Sequence, residues 1–307
     1  MQCTVGVDVG GTTTKAVLLD ASGRAVQTRR VGTPGPDRAT GADSVAQIVE
    51  TVAHLVTELT DSAPGPVAGL GVAVPGLVDE ERGVAVWSEN LRWRDVPFGE
   101  LLVQRTGLPV SVGHDVRTGG LAEARFGAAR GARTAAVMPV GTGIAVALVL
   151  DGRIHAGGGF AGEIGHLSTG RTDPCACGGN GCLEALASAA AIARRYTERS
   201  GRAVSGAAEV LQRVEQGDRE AGWVWDDAVD LLAWGVTVLN AVVAADVVVL
   251  GGGLAEAGER LLAPMRSRVA ARLTFQPSPR LVSAELGDLA GCLGAALLAR
   301  DRWESTR

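Results

Sequence analysis

The stretch CTVGVDVGGTTTKAVLLDASGRAV, residues 3–26, decides the fold class. Val5, Val7 and Val9 alternate as on a half-buried strand, Gly10 and Gly11 bend the chain, KAVLLD resumes strand-favouring residues, and ASGR turns again. The result is strand, tight turn, strand, with hydroxyls at the tip. The same order returns in TAAVMPVGTGIAVALVLDGRI, residues 134–154, now around a Gly-Thr-Gly turn. Two such units within 307 residues suggest an internal duplication and two lobes. The first lobe is expected over 1–113, joined by the closing amphipathic helix 290–307, and the second over 114–289.

Between these landmarks the elements alternate as an α/β chain does. DSVAQIVETVAHLVTELTD (43–61) has helical apolar spacing behind an Asp43 cap, with His54 as an ordinary helical histidine. VAGLGVAVPGLVD (67–79) reads as a buried strand ended by the Pro-Gly turn at Gly76, and GVAVWSENLRW (83–93) as another strand. LPVSVGHDV (108–116) runs from a strand into a helix. Helices are expected over roughly 185–215 and 221–245, before DVVVLGGGLAEAGERLLAPMRSRV (246–269), a buried strand turning through three glycines into a helix.

Composition narrows the function. With 46% apolar residues the chain can bury a substantial core, and no apolar run approaches the roughly 20 residues that a membrane helix requires. Asp8 interrupts the apolar stretch near the N-terminus, so an ordinary signal peptide is not expected, and the protein is expected to be soluble and cytoplasmic. The net charge is −5 and no basic stripe exists, so nucleic acid is not an expected partner. Lys15 is the single lysine; it stands in the first glycine turn, where a composition bias against lysine explains it as readily as a function does. Cys3 and Cys292 lie far from the other cysteines, which does not fit a secreted disulfide framework.

Three glycine turns follow strands: DVGGTTTK (8–15), GTGI (141–144) and GGGLAEAGE (251–259). Glycine lets backbone N–H groups approach a ligand, threonine adds hydroxyls, and the helix after Gly253 presents its positive end to an anion. Together they resemble a nucleotide cradle, although each alone could be a hairpin corner. Neither the Walker A spacing nor the dinucleotide fingerprint is present. Asp115, at a strand-to-helix junction, could cap the helix or act as a general base. His166-x8-Cys175-x-Cys177-x4-Cys182 supplies three thiolates and an imidazole, a filled tetrahedral set that argues for structural zinc and against a zinc hydrolase. Glu163 and Glu184 flank it, either as solvated loop acids or as carboxylates held rigid for hydroxyl recognition.

With these residues assembled, the chain resembles the ROK family of bacterial sugar kinases and repressors, of the two-lobed actin-like ATPase (ribonuclease H-like) fold. The matching segments are VDVGGTTTK, VPGLVD, NLRW, GTGI, GEIGH, CACGGNGCLE and VVVLGGG. The resemblance implies an ATP-dependent kinase acting on the 6-hydroxyl of glucose or N-acetylglucosamine, with Asp115 as catalytic base. It implies that Gly76, His114, Glu163, His166 and Glu184 lie at the sugar, with His166 also a zinc ligand beside Cys175, Cys177 and Cys182. Asp8, Gly10, Gly11, Thr12, Thr14, Lys15, Gly141, Thr142, Gly143, Gly251, Gly252 and Gly253 would surround ATP and its Mg2+. It further implies a homodimer or dimer of dimers. The rival readings are a non-catalytic sugar sensor and a repressor; repressors of the family carry an N-terminal helix-turn-helix, whereas here the phosphate hairpin starts within five residues of Met1. Family glucokinases usually read Glu-Asn-Asp where this chain has Gly113, His114 and Asp115. Arg117 replaces another habitual Asn, Ala145 follows the second phosphate loop, and the His166 to Cys175 spacing is short. These differences bear on which sugar is taken; Asp115 and the loops for phosphoryl transfer are kept.

Overall fold

The computed structural model describes residues 2–35, 44–88 and 91–305; the expected Asp43 cap, and Glu89 and Asn90 of the expected strand, lie outside the described residues. The chain divides into two compact units: Met1–Ala122, Ala156–Phe160 and Asp288–Arg307 form the first, Glu123–His155 and Ala161–Gly287 the second.

The first unit holds strands β1 (Cys3–Val9), β2 (Thr13–Leu19) and β3 (Ala25–Gly32), helix α1 (Ser44–Asp61) and β4 (Val67–Val74). A small hairpin sheet of β5 (Leu77–Asp79), β6 (Val84–Ser88) and β7 (Trp93–Val96) follows, then α2 (Phe98–Thr106), β8 (Val110–His114) and α3 (Asp115–Phe126), of which the residues up to Ala122 count with this unit. The second unit holds β9 (Ala135–Pro139), β10 (Ala147–Leu150), β11 (Arg153–His155), α4 (Leu183–Ala187), α5 (Ala189–Ser200), α6 (Ala207–Glu215), α7 (Arg219–Val243), β12 (Val247–Gly251), α8 (Glu259–Arg272) and β13 (Arg280–Ser283). Helix α9 (Ala290–Ser305) belongs to the first unit.

The two main sheets share one topology. The first runs β3-β2-β1-β4-β8 and the second β11-β10-β9-β12-β13, each with an antiparallel meander on one side and parallel strands on the other. The repeat read from residues 3–26 and 134–154 therefore extends to whole five-stranded sheets.

In β1 the period-2 pattern separates two jobs. Val5, Val7 and Val9, all fully buried, join Ile48, Val52, Leu55 and Leu59 of α1 in one apolar cluster, each side chain contributing about 1.5–3 kcal/mol. Gly6 and Asp8 point to the other face, where α9 packs. A Cβ at Gly6 would lie 2.0 Å from the Cys292 carbonyl oxygen, and one at Gly71 of β4 only 1.7 Å from that of Ala295, so glycine is what lets this helix approach the sheet. The same closeness explains why the first unit extends past the expected boundary at 113: the start of α3 lies under α9, with Gly294 packed on the Thr118 carbonyl.

The single strand expected over 83–93 is instead two, β6 and β7. Arg92 takes a left-handed backbone (φ 54°), which turns the chain before Trp93. In the second unit α7 is the spine of the core, capped by Asp218, whose carboxylate accepts from the Glu220 and Ala221 N–H groups. Among the described residues no helix is long and apolar enough to cross a membrane.

Candidate functional site

In the first unit three chemically active segments meet the carboxyl edge of the parallel strands. Asp8 is next to last in β1, the Pro75-Gly76 turn follows β4, and Asp115 opens α3 after β8. Open α/β sheets bind ligands at this edge. Gly76 has φ 97°, and a Cβ there would fall 2.1 Å from the Trp87 carbonyl oxygen, so the turn is pressed against β6.

Asp115 is held through one oxygen. Its Oδ1 accepts the Val116 N–H at 2.7 Å and faces His114 Nε2 at 3.3 Å, while no hydrogen-bond partner takes Oδ2 among the described residues. The side chain keeps 37% of its surface open, yet enough protein surrounds it for burial to push its pKa up to about 6, against the lowering effects of the Val116 N–H and Arg117. His114 is pushed down to about 4, chiefly by burial and then by Arg117, so its imidazole is neutral at physiological pH. With its proton on Nε2 the neutral ring would turn a donor towards the carboxylate and leave Nδ1, buried and without a partner among the described residues, as an acceptor.

Asp8 sits opposite Lys15 in the β1–β2 register, and Lys15 opposite Arg30 in the β2–β3 register, so the three share one face. Asp288, just before α9, accepts from Arg30 and pairs with Lys15 Nζ at 3.5 Å; Lys15 also donates to its carbonyl at 2.9 Å. Burial pushes the Asp8 carboxyl up to about 7, with Asp115 adding to the effect. A half-buried carboxylate near a second acid and a phosphate-type turn suits Mg2+, which would restore its charged form. Gly11 and Thr12 are exposed at the turn tip. Thr14 is not: it is buried, and its hydroxyl pairs with Thr33 Oγ1 at 2.8 Å, while Thr33 Oγ1 donates to the Gly10 carbonyl at 2.7 Å. Thr14 thus braces the turn from behind.

In the second unit the turns Gly141–Gly143 and Gly251–Gly253 follow the adjacent parallel strands β9 and β12. They are joined by Val140 N–H to the Gly251 carbonyl at 2.9 Å and Leu254 N–H to the Val140 carbonyl at 3.1 Å. Beside Gly253 opens a cavity of about 410 Å3, lined by Leu254, Ala257, Ala189, Leu211 and Trp225. Glu184, in the first turn of α4, reaches the first of these turns: its Oε2 accepts the Ile144 N–H at 2.9 Å, and a Cβ on Gly143 would lie 2.5 Å from that oxygen. Thr142, at the tip, is exposed. A more open concavity of about 470 Å3 lies at Arg202 and Arg213, but these are ion-paired to Asp218 and Glu209.

Cys182, immediately before α4, brings the cysteine loop to the same helix. Ligand atoms of His166, Cys175, Cys177 and Cys182 all lie within 4.8 Å of one another, with His166 Nδ1 3.8 Å from Cys175 Sγ and the Cys177 and Cys182 sulfurs 3.6 Å apart. Tetrahedral zinc with Zn–S near 2.3 Å sets sulfur separations of about 3.8 Å, so these four residues fit the metal. Burial pushes the Cys182 thiol up to about 12, whereas the Gly179 N–H and then Cys175 lower that of Cys177; a bound cation would favour the thiolate at both. With Nδ1 turned to the thiolates, His166 presents Nε2 to Glu163 Oε2 at 4.0 Å.

Two groups at the site lie outside the motifs. Glu80, just after β5, accepts the His114 backbone N–H at 3.1 Å and Arg117 Nε at 2.7 Å through one oxygen. Arg117 is committed to Glu80 and to the Gly159 carbonyl at 3.1 Å. No motif marks Glu80; the available signal was the arginine two residues after Asp115, which needs an acid once buried.

A family model described as "ROK family" matches residues 4–302. A glucokinase of Thermotoga maritima is 32% identical, covering 97% of both chains. Among solved structures, a ROK hexokinase from Thermus thermophilus aligns over 99% of this chain and 100% of its own, with TM-score 0.89 and 33% identity. A ROK family glucokinase from Streptomyces griseus, in complex with glucose and AMPPNP, aligns over 97% and 99%, with TM-score 0.80 and 28% identity. A xylose repressor of Bacillus subtilis also matches, at 26% identity over 97% of this chain and 77% of its own. The two-lobed actin-like ATPase fold expected from the sequence is the fold of these neighbours.

Proposed function

The chain belongs to the ROK family, and from that premise we propose that it is an ATP-dependent sugar kinase acting on the 6-hydroxyl of a glucose-type hexose, glucose or N-acetylglucosamine. The observation that carries the reading is the state of Asp115: one oxygen anchored by Val116 N–H and His114, the other open, and a pKa near 6. Such a carboxylate is ionised at neutral pH yet basic enough to take a proton from an alcohol in flight.

In the proposed reaction the sugar 6-oxygen attacks the γ-phosphorus, the bond from that phosphorus to the β–γ bridging oxygen breaks, and ADP leaves. The hydroxyl proton passes to Asp115 Oδ2. The rest is positioning and charge neutralisation. Backbone N–H groups of the Gly10–Thr12 and Gly141–Gly143 turns hold phosphate oxygens, and the cavity beside Gly253 takes the adenosine. Mg2+ bound with the nucleotide beside Asp8 would supply neutralisation of phosphate charge. Glu163, His166 and Glu184 form the sugar wall, and zinc would hold His166 and the start of α4 rigid. Glu184 ties that wall to the second phosphate turn through Ile144 N–H. His114 presents no free donor to a sugar while Nε2–H faces Asp115, which supports an acceptor recognised mainly from the zinc side.

A sugar-responsive sensor is the second reading, favoured by the repressors among the relatives. A coupled ADP-release assay across hexoses and amino sugars separates the two: turnover with at least one sugar establishes the kinase, and sugar binding without ADP release establishes the sensor.

A further inference from the structure

Arg117 is among the most enclosed charges of the molecule, with its side chain 4% exposed. Burying a guanidinium costs several kcal/mol, and exchanging a buried ion pair for apolar groups is often neutral or stabilising, so fold stability alone does not account for it. Its contacts do. Nε meets Glu80 Oε1 at 2.7 Å, and that same oxygen takes the His114 backbone N–H at 3.1 Å, at the residue preceding Asp115. Nη1 donates to the Gly159 carbonyl at 3.1 Å, within Ala156–Phe160, a strap that packs with the first unit although both its flanks belong to the second. Among the described residues Nη2 has no hydrogen-bond partner, and these two contacts are the ones that hold the group there.

Accordingly, the residues on either side of Asp115 are fixed from outside α3: residue 114 through its N–H and residue 117 through its guanidinium, both on one Glu80 oxygen. The strap presses on the same place, since a Cβ at Gly159 would lie 3.3 Å from the Val78 carbonyl oxygen in β5, the strand just before Glu80. We propose that Arg117 is a positioning residue for phosphoryl transfer, clamping the turn that carries Asp115 between Glu80 and the strap so that the open Oδ2 is held in line for the acceptor hydroxyl. The inference rests on the kinase reading. Among the described residues, Asp8 of β1 and Arg117 act on Asp115 through their charge, His114 of β8 lies beside it, and Glu80 beyond β5 reaches it only by way of Arg117 and the His114 N–H; the part of α9 over α3, around Gly294, carries no charge. Arg117 is the cation among them, so it also favours the ionised base.

The test compares Arg117→Met, Arg117→Lys and the double variant Arg117→Met with Glu80→Gln, which removes both buried charges together. In all three, kcat is expected to fall about 10–100-fold while the sugar KM moves less than about threefold, because the loss is confined to the transition state. In Arg117→Met and the double variant the acid limb of the kcat profile moves to higher pH; Arg117→Lys, which keeps the charge, restores the limb but not the rate. Unchanged kcat in the double variant overturns the proposal, and so does a loss of rate that follows melting temperature with the acid limb fixed. If the wild type turns over no sugar, the kinase reading is what fails. Carboxyl 13C NMR titration of Asp115 in wild type and the double variant then decides the inference separately: an upward shift supports the clamp, and identical titration curves overturn it.

Discussion

The two units are built on the same five-stranded sheet and put different chemistry on the same edge of it. At the carboxyl end of β1, β4 and β8 the first unit places charge: Asp8 across from Lys15, and Asp115 beside His114 and Arg117. At the corresponding ends of β9 and β12 the second unit has no ionisable side chain in its turns, only backbone donors and small residues, with one carboxylate reaching in from α4. The scaffolds also differ in how they are held. The first closes by a helix laid so near the sheet that Gly6 and Gly71 leave no room for a methyl group, whereas the loop below α4 in the second gathers four metal-ligating side chains. On the proposed reading one topology serves reaction chemistry in one unit and recognition in the other, and damage to each should show in different kinetic constants.

The largest separation is expected from Asp115→Asn, which keeps the shape and the Val116 contact but removes the base. Turnover should fall about 10²–10⁴-fold in the coupled assay, with sugar affinity by calorimetry nearly unchanged. Normal turnover would remove the first unit's claim to the chemistry.

Next in size is loss of metal from the second unit. Chelation, or Cys175→Ser, should weaken sugar binding on the order of 10–100-fold and lower the melting temperature, since His166 and the start of α4 lose their anchor. Sugar binding by calorimetry in a metal-free sample checks this, and an unaltered affinity would confine the knot to folding.

A smaller effect tests the link between the proposed sugar wall and the proposed second phosphate turn. Gly143→Ala pushes a methyl group against Glu184 Oε2, at 2.5 Å before relaxation, and should cost roughly 1–3 kcal/mol at the contact. Steady-state kinetics should show KM rising for sugar and nucleotide together; a rise in only one would mean that Glu184 and the turn act independently.

Much of this division is legible in the sequence because it depends on local chemistry. Alternating valines around Gly10–Gly11 and again around Gly141–Gly143 give both sheets, and the His166 to Cys182 spacing gives the knot, since ligands close in sequence need little tertiary context. The turn at Arg92 escaped such reading, because a left-handed arginine has no compositional signature. So did the roles of Glu80 and Thr14. Glu80 is one acid among the 34 Asp and Glu residues until β5, β8 and the 156–160 strap converge on Arg117. Thr14 looks like a phosphate-loop hydroxyl until the β2–β3 pairing sets it against Thr33.

The finest test concerns pH, where the first unit should respond and the second should not. Asp115 has a raised pKa, so its protonated form persists up to about pH 6, and the base is lost as pH falls through that value. His114, pushed down to about 4, stays neutral across the same range and adds no second proton to the limb. At saturating sugar and magnesium nucleotide, log kcat should therefore fall with unit slope below about pH 6, tenfold per pH unit. A limb of slope two would mean that a second group, Asp8 without its metal or His114, titrates together with Asp115. His114→Asn, which can still donate to Oδ1 but without the ring, should shift that limb by less than about one pH unit, because burial outweighs the single contact at 3.3 Å in setting the Asp115 pKa. A larger shift would make the imidazole, rather than the enclosure, the group that tunes the base.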